Sequence, residues 1–162
     1  MDDPAGDVPR NIVGTDGWQS VLADMSATAD SYRDRGWSAL ELHPGDAVLV
    51  DTDDRTGLDV LLPGDEYEEL EGLVDENSFG DVEVFAAESG GVIYLLIVER
   101  DPVSETAVFV PAYYERSDPR GTLETIRTNG RLRVFCRRLN NDYVVFEHTD
   151  LGPFLPDAVA DE

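Results

Sequence analysis

Three groups of side chains in this 162-residue chain could do chemistry: an acid-rich turn, two histidines with a lone cysteine, and a run of arginines. The turn Asp51-Thr52-Asp53-Asp54-Arg55-Thr56-Gly57 has the acid density of a calcium loop. An EF-hand loop needs oxygen ligands at alternating positions, glycine at the sixth and a bidentate glutamate at the twelfth. Counted from Asp51, the fifth, sixth and twelfth residues are Arg55, Thr56 and Leu62, so a solvated hairpin turn is expected instead. His43 precedes Pro44-Gly45 and reads as a turn residue. His148 follows Glu147 at the end of a strand, but adjacent strand residues point to opposite faces and form no dyad. No His-x-x-x-His or Cys-x-x-Cys pair is present to hold zinc. Cys136 alternates with Leu132 and Val134 and reads as a small core residue; a nucleophile would need a neighbouring base and access. Gly-x-Ser-x-Gly, Walker A and Gly-x-Gly-x-x-Gly patterns do not occur. No catalytic residue, metal or cofactor is therefore expected, and the leading functional expectation is a non-enzymatic interaction or regulatory domain.

The arginines stand out from this background. Residues 116 to 138 hold seven of them (Arg116, Arg120, Arg127, Arg131, Arg133, Arg137, Arg138) against two acids, Asp118 and Glu124. The segment is +5, and the remainder of the chain is −28. Alternation along a strand would put Arg131, Arg133, Phe135 and Arg137 on its solvent side and Leu132, Val134 and Cys136 on the other. The candidate binding residues are Arg127, Arg131, Arg133, Phe135 and Arg137. Such a face could hold an acidic protein partner, a phosphate-bearing ligand or single-stranded nucleic acid through charge and stacking. The plainer alternative is that these arginines pair with carboxylates of neighbouring strands, Glu147 first. A binding face should leave at least two guanidinium groups free of such pairs.

The elements that must position these residues follow from periodicity. Asp16, with Gln19 three residues on, is expected to cap a first helix whose stripe is Trp18, Leu22, Met25, Ala29 and Tyr32, ending at Gly36. The period then changes to two. Strands are expected at 39–42, 47–50 and 58–62, then a second helix capped by Asp65 with Tyr67, Leu70 and Val74 on its apolar face. Three strands follow at 82–88, 92–99 and 106–114, the middle one apolar throughout and so covered on both faces or central, the third bulged or at an edge because of Pro111. A short third helix is expected from Asp118-Pro119 to Gly130. A last hairpin, 131–139 and 143–149, should turn through the three-residue loop Asn140-Asn141-Asp142, which keeps Leu132, Val134 and Cys136 on one face with Val144 and Phe146. The expected fold class is α+β: one domain over residues 15–155, a mainly antiparallel sheet of about eight strands, an N-terminal amphipathic helix and two shorter helices. A PAS-like or profilin-like arrangement fits this order, with strand order left open. Residues 1–14 read as a mobile arm and 156–162 as an acidic tail.

All 12 basic residues are arginine, and 21 Asp and 14 Glu bring the net charge to −23. The acids are spread along the whole chain, and 41% hydrophobic residues suffice for a core. Self-repulsion of that order destabilises a compact state unless salt screens it. The composition resembles cytoplasmic proteins of haloarchaea, and the stretches Trp18 to Tyr32 and Gly36-Trp37-Ser38-Ala39-Leu40-Glu41-Leu42-His43-Pro44-Gly45-Asp46 resemble an uncharacterised family of short acidic haloarchaeal proteins. The resemblance implies a halophilic single domain and carries no activity. In multimolar salt, counterion release would weaken nucleic-acid binding severely, so a protein partner or a small anionic ligand is the expected partner. Met1-Asp2-Asp3-Pro4 opens no signal peptide, and the longest apolar run, Val92 to Val98, is far short of a bilayer span, so a soluble, cytoplasmic protein is expected.

Overall fold

In the computed structural model, residues 15–53, 55–117 and 121–155 are described; the expected arm and tail lie outside them. Helix α1 (Asp16–Asp34) is capped by Thr15, whose extended backbone lets its hydroxyl accept from the Trp18 amide at 3.3 Å. Asp16, expected as the cap, is the first helical residue instead, where its charge still meets the positive end of the helix dipole. The helix closes as anticipated at Gly36 (φ +91°): the Gly36 amide donates to the Arg33 carbonyl and the Trp37 amide to that of Tyr32, a Schellman pair. Its buried stripe is Trp18, Val21, Met25, Ala29 and Tyr32, with Leu22 displaced to the flank.

Eight strands follow: β1 (Ser38–Glu41), β2 (Asp46–Asp51), β3 (Thr56–Leu61), β4 (Asp81–Ser89), β5 (Val92–Asp101), β6 (Thr106–Glu115), β7 (Leu132–Arg137) and β8 (Tyr143–His148). Helix α2 (Gly64–Glu76) separates β3 from β4, and α3 (Thr122–Asn129) separates β6 from β7. Helix α2 starts one residue before the expected cap, with Pro63 at the cap position and Asp65 in the first turn. The expected opening of the third helix, Asp118-Pro119, lies outside the described residues; α3 begins after Gly121 and ends at Gly130, both left-handed. The fold is α+β with mainly antiparallel pairing, but the strands divide into two four-stranded sheets, β1-β6-β5-β4 and β2-β3-β7-β8. Each contains one parallel pairing, β1 with β6 and β3 with β7. A single PAS-like or profilin-like sheet does not form, because the chain leaves the first sheet after β1 through His43-Pro44-Gly45 and returns to it only at β4.

Strand β5 is buried at every position from Val92 to Val98, as its composition requires. One face of its sheet packs on α1 through Tyr32–Phe109 and Trp18–Tyr113 ring contacts. The other face meets the second sheet, where Glu99 of β5 bonds His148 of β8 at 2.7 Å. Pro111 causes no bulge, since the β5–β6 register is continuous. The amides of Ser38 and Leu42 donate to the carbonyls of Glu105 and Phe109, so in a parallel ladder the nitrogen of residue 111 would be the next donor back to Leu42. Proline has no hydrogen to give, and β1 ends there.

The final hairpin turns through a three-residue loop one position earlier than expected. The Arg138 amide donates to the Asp142 carbonyl, leaving Leu139-Asn140-Asn141 as the loop with Asn141 left-handed (φ +73°). The shift changes the register by two residues, so Leu132, Val134 and Cys136 keep the same face as Val144 and Phe146. Among the described residues no helix is long and apolar enough to cross a membrane.

Candidate functional site

The register of the second sheet arranges its outer face in rows across β2, β3, β7 and β8. They read Val50–Gly57–Arg133–Glu147, Val48–Asp59–Phe135–Val145 and Asp46–Leu61–Arg137–Tyr143. Gly57 lets β3 approach β7: a Cβ there would lie deep inside the van der Waals distance of the Arg133 carbonyl oxygen. The β2–β3 turn adds one more cation. The Thr52 amide donates to the Arg55 carbonyl, and the Arg55 amide donates to the Thr52 hydroxyl at 3.0 Å, which turns the Arg55 side chain back along the face.

These rows place the predicted residues as follows. Arg137 Nε donates to both oxygens of Asp59, at 3.0 and 3.2 Å, and Arg55 bonds the same buried carboxylate. Arg133 Nε donates to Glu147 at 3.2 Å, while Arg131 approaches the other oxygen of Glu147 only to 3.9 Å. Arg127 lies 3.5 Å from Glu124, and its Nε is buried without a partner; it is not part of this face. Phe135, expected on the solvent side, is 2% exposed. It points to the outer face but lies under Tyr143, edge to face at 5.4 Å, and under the Arg55 guanidinium at 5.5 Å. The expectation of two guanidinium groups without a carboxylate is not met, because each of Arg127, Arg131, Arg133 and Arg137 has one within 4 Å. The sharing is unequal, however. Among the described residues of the outer face, Arg55 and Arg137 divide Asp59, and Arg131 and Arg133 divide Glu147, so four guanidinium groups share two directly paired carboxylates, with Asp46 a further acid in the row of Arg137.

That surplus surrounds a pocket of about 210 Å³ lined by Asp53, Arg55, Thr56, Asn129, Arg131 and Arg133. Three guanidinium forks on its wall offer planar paired donors for a phosphate or carboxylate. Arg55, Thr56 and Asn129 lie outside the arginine alternation of β7. A basic residue inside a turn of acids was the signal that could have brought Arg55 into the site.

The other candidates face elsewhere. The His43 amide and Nδ1 both engage Glu66, tying the β1–β2 turn to α2. Cys136 is buried, and burial pushes its thiol well above the usual range. His148, which has no dyad with Glu147, is paired across the sheets with Glu99, 1% exposed, whose carboxyl is raised by burial and only partly restored by the histidine hydrogen bond. Forty-nine residues separate the two. The clue was a glutamate inside an otherwise apolar buried strand, which must find a partner. Among the described residues no group of three or more His, Cys, Asp or Glu is placed to hold a metal ion.

Searches among curated proteins and among solved structures find no significant match to the chain. One family profile does match, over residues 9–156, and it spans both sheets and every residue of the pocket. This chain therefore belongs to the family of unknown function DUF7529.

Proposed function

We propose that this chain is a non-enzymatic interaction domain whose pocket at the β3–β7 end of the second sheet binds the phosphate or carboxylate group of a small ligand. The observation that carries the reading is the unequal pairing: four guanidinium groups share two carboxylates, and three of the four line one concavity. In a chain of net charge −23, a pocket lined by three arginines and one acid, Asp53, is a local cationic surplus that stability does not require. A non-enzymatic role is supported by the interior placement of Cys136 and by the engagement of His148 with a buried carboxylate. The absence of lysine and the dispersed acids support work in a concentrated-salt cytoplasm, which favours a compact ligand held by direct forks over an extended polyanion.

Isothermal titration with inorganic phosphate and pyrophosphate tests this. Binding is expected at one site per chain, and Arg131→Gln with Arg133→Gln should weaken it by tenfold or more with little change in melting temperature. Equal binding by the double variant would remove the pocket from consideration.

A further inference from the structure

The pocket is small for a complete ligand. About 210 Å³ falls below the roughly 300–1,000 Å³ that encloses a drug-sized molecule, so it holds a headgroup and leaves the body outside. What adjoins it is an aromatic and apolar shelf. Arg55 belongs to both: it lines the pocket, and its guanidinium lies over the rings of Phe135 at 5.5 Å and Tyr143 at 5.7 Å. Of the six large hydrophobic side chains exposed among the described residues, three stand on this face: Val48 (47%), Tyr143 (44%) and Val145 (39%). They occupy two adjoining rows of the register, with Val145 directly beside Phe135.

We propose that the site is composite and that its ligand is a nucleoside monophosphate, the phosphate held by Arg131 and Arg133 and the base laid along Arg55 and Tyr143. The inference rests on the anion-site reading above and adds the chemistry of the ligand's body. Guanidinium and phenol faces both stack on a flat heteroaromatic ring, and Val48 and Val145 extend the apolar floor. The Thr56 hydroxyl and the Asn129 amide line the pocket as uncharged hydrogen-bonding groups beside the phosphate position, suited to sugar hydroxyls. A protein partner fits less well: three partly exposed side chains are far from the roughly 800 Å² per partner of a stable interface.

The test is titration calorimetry with adenosine 5′-monophosphate, ribose 5-phosphate, inorganic phosphate and an acidic glutamate peptide, at a salt concentration where the protein shows its full melting transition. Adenosine 5′-monophosphate should bind about tenfold or more tightly than ribose 5-phosphate, the usual size of a base-stacking contribution. Tyr143→Ala should erase that advantage and leave ribose 5-phosphate binding unchanged. Val145→Asn, at an exposed position, should lower the nucleotide affinity severalfold. If Tyr143→Ala fails to fold, the wild-type ratio of the two sugar phosphates still decides. Equal affinities would overturn the shelf and leave the anion site standing. Failure of phosphate, ribose 5-phosphate and nucleotide alike would overturn both readings, and binding of the acidic peptide alone would assign the face to a protein partner.

Discussion

Arg133 and Arg137 stand four residues apart on one face of β7, yet their surroundings give them opposite roles. Arg137 grips both oxygens of Asp59, a carboxylate that is itself buried and also bonded by Arg55. Breaking such a pair leaves an uncompensated buried charge, which costs roughly 3–5 kcal/mol. Arg133 shares the half-exposed Glu147 with Arg131, an arrangement worth little in water and open to replacement by a ligand oxygen. Chemical denaturation should therefore separate them: Arg137→Ala, which leaves the buried Asp59 to Arg55 alone, is expected to lose about 3 kcal/mol, whereas Arg133→Gln should stay within about 0.5 kcal/mol of wild type. A severe loss for Arg133→Gln would make it a structural clamp like Arg137.

Among the elements, α1 and the contact between the sheets carry most of the tertiary information. Trp18 is buried at the head of the α1 stripe, edge to face with Tyr113. Trp18→Ala should cost about 3–5 kcal/mol in an unfolding titration; an unchanged midpoint would contradict the packing of that helix. The sheets meet at the Glu99–His148 pair, and His148 in turn stacks on Phe154 at 4.8 Å. Because burial raises the Glu99 carboxyl above its ordinary value of 4.5, the folded protein retains this proton where the unfolded chain has released it. The Glu99 contribution to stability is thus present below the ordinary value and is lost as pH rises through the raised one. Asp81 and Asp142 act in the opposite direction: hydrogen bonds from Arg100 and Arg138 hold them below the usual range, so their contribution is lost as pH falls through the depressed values. Glu99→Gln should remove only the first effect. Its melting temperature relative to wild type should increase as pH rises from about 4.5, and a constant difference would refute the assignment.

At the scale of the whole molecule, the net charge of −23 is the dominant electrostatic feature, and we propose that the fold depends on salt to screen it. With 35 acids against 12 arginines, repulsion is a property of the entire surface, and the ion pairs of the second sheet neutralise only a part of it. The Debye length is about 10 Å at 0.1 M salt and about 3 Å at 1 M, so neighbouring carboxylates repel strongly in the first case and weakly in the second. Dialysis from molar KCl into dilute buffer should lower the melting temperature substantially or abolish far-UV structure. Identical melting at both concentrations would refute the proposal of adaptation to concentrated salt.

The local steps of this structure were legible because each is determined by neighbours in sequence. The helical period of α1, its stop at Gly36, the unbroken apolar run of β5 and the parity of the β7–β8 hairpin all depend on residues within a turn or a strand of one another. Even the misplaced hairpin loop preserved the facing of Cys136, since a shift of two in register keeps side chains on the same side. The division into two sheets, the parallel pairings of β1 with β6 and β3 with β7, and the partners of Glu99 and Asp59 depend on segments far apart in the chain. Periodicity says which side of a strand is covered and is silent on which distant strand covers it. The same limit hid the burial of Phe135 and the entry of Arg55 into the pocket: alternation aimed Phe135 outward, and only the turn packed across β7 could place a guanidinium over its ring.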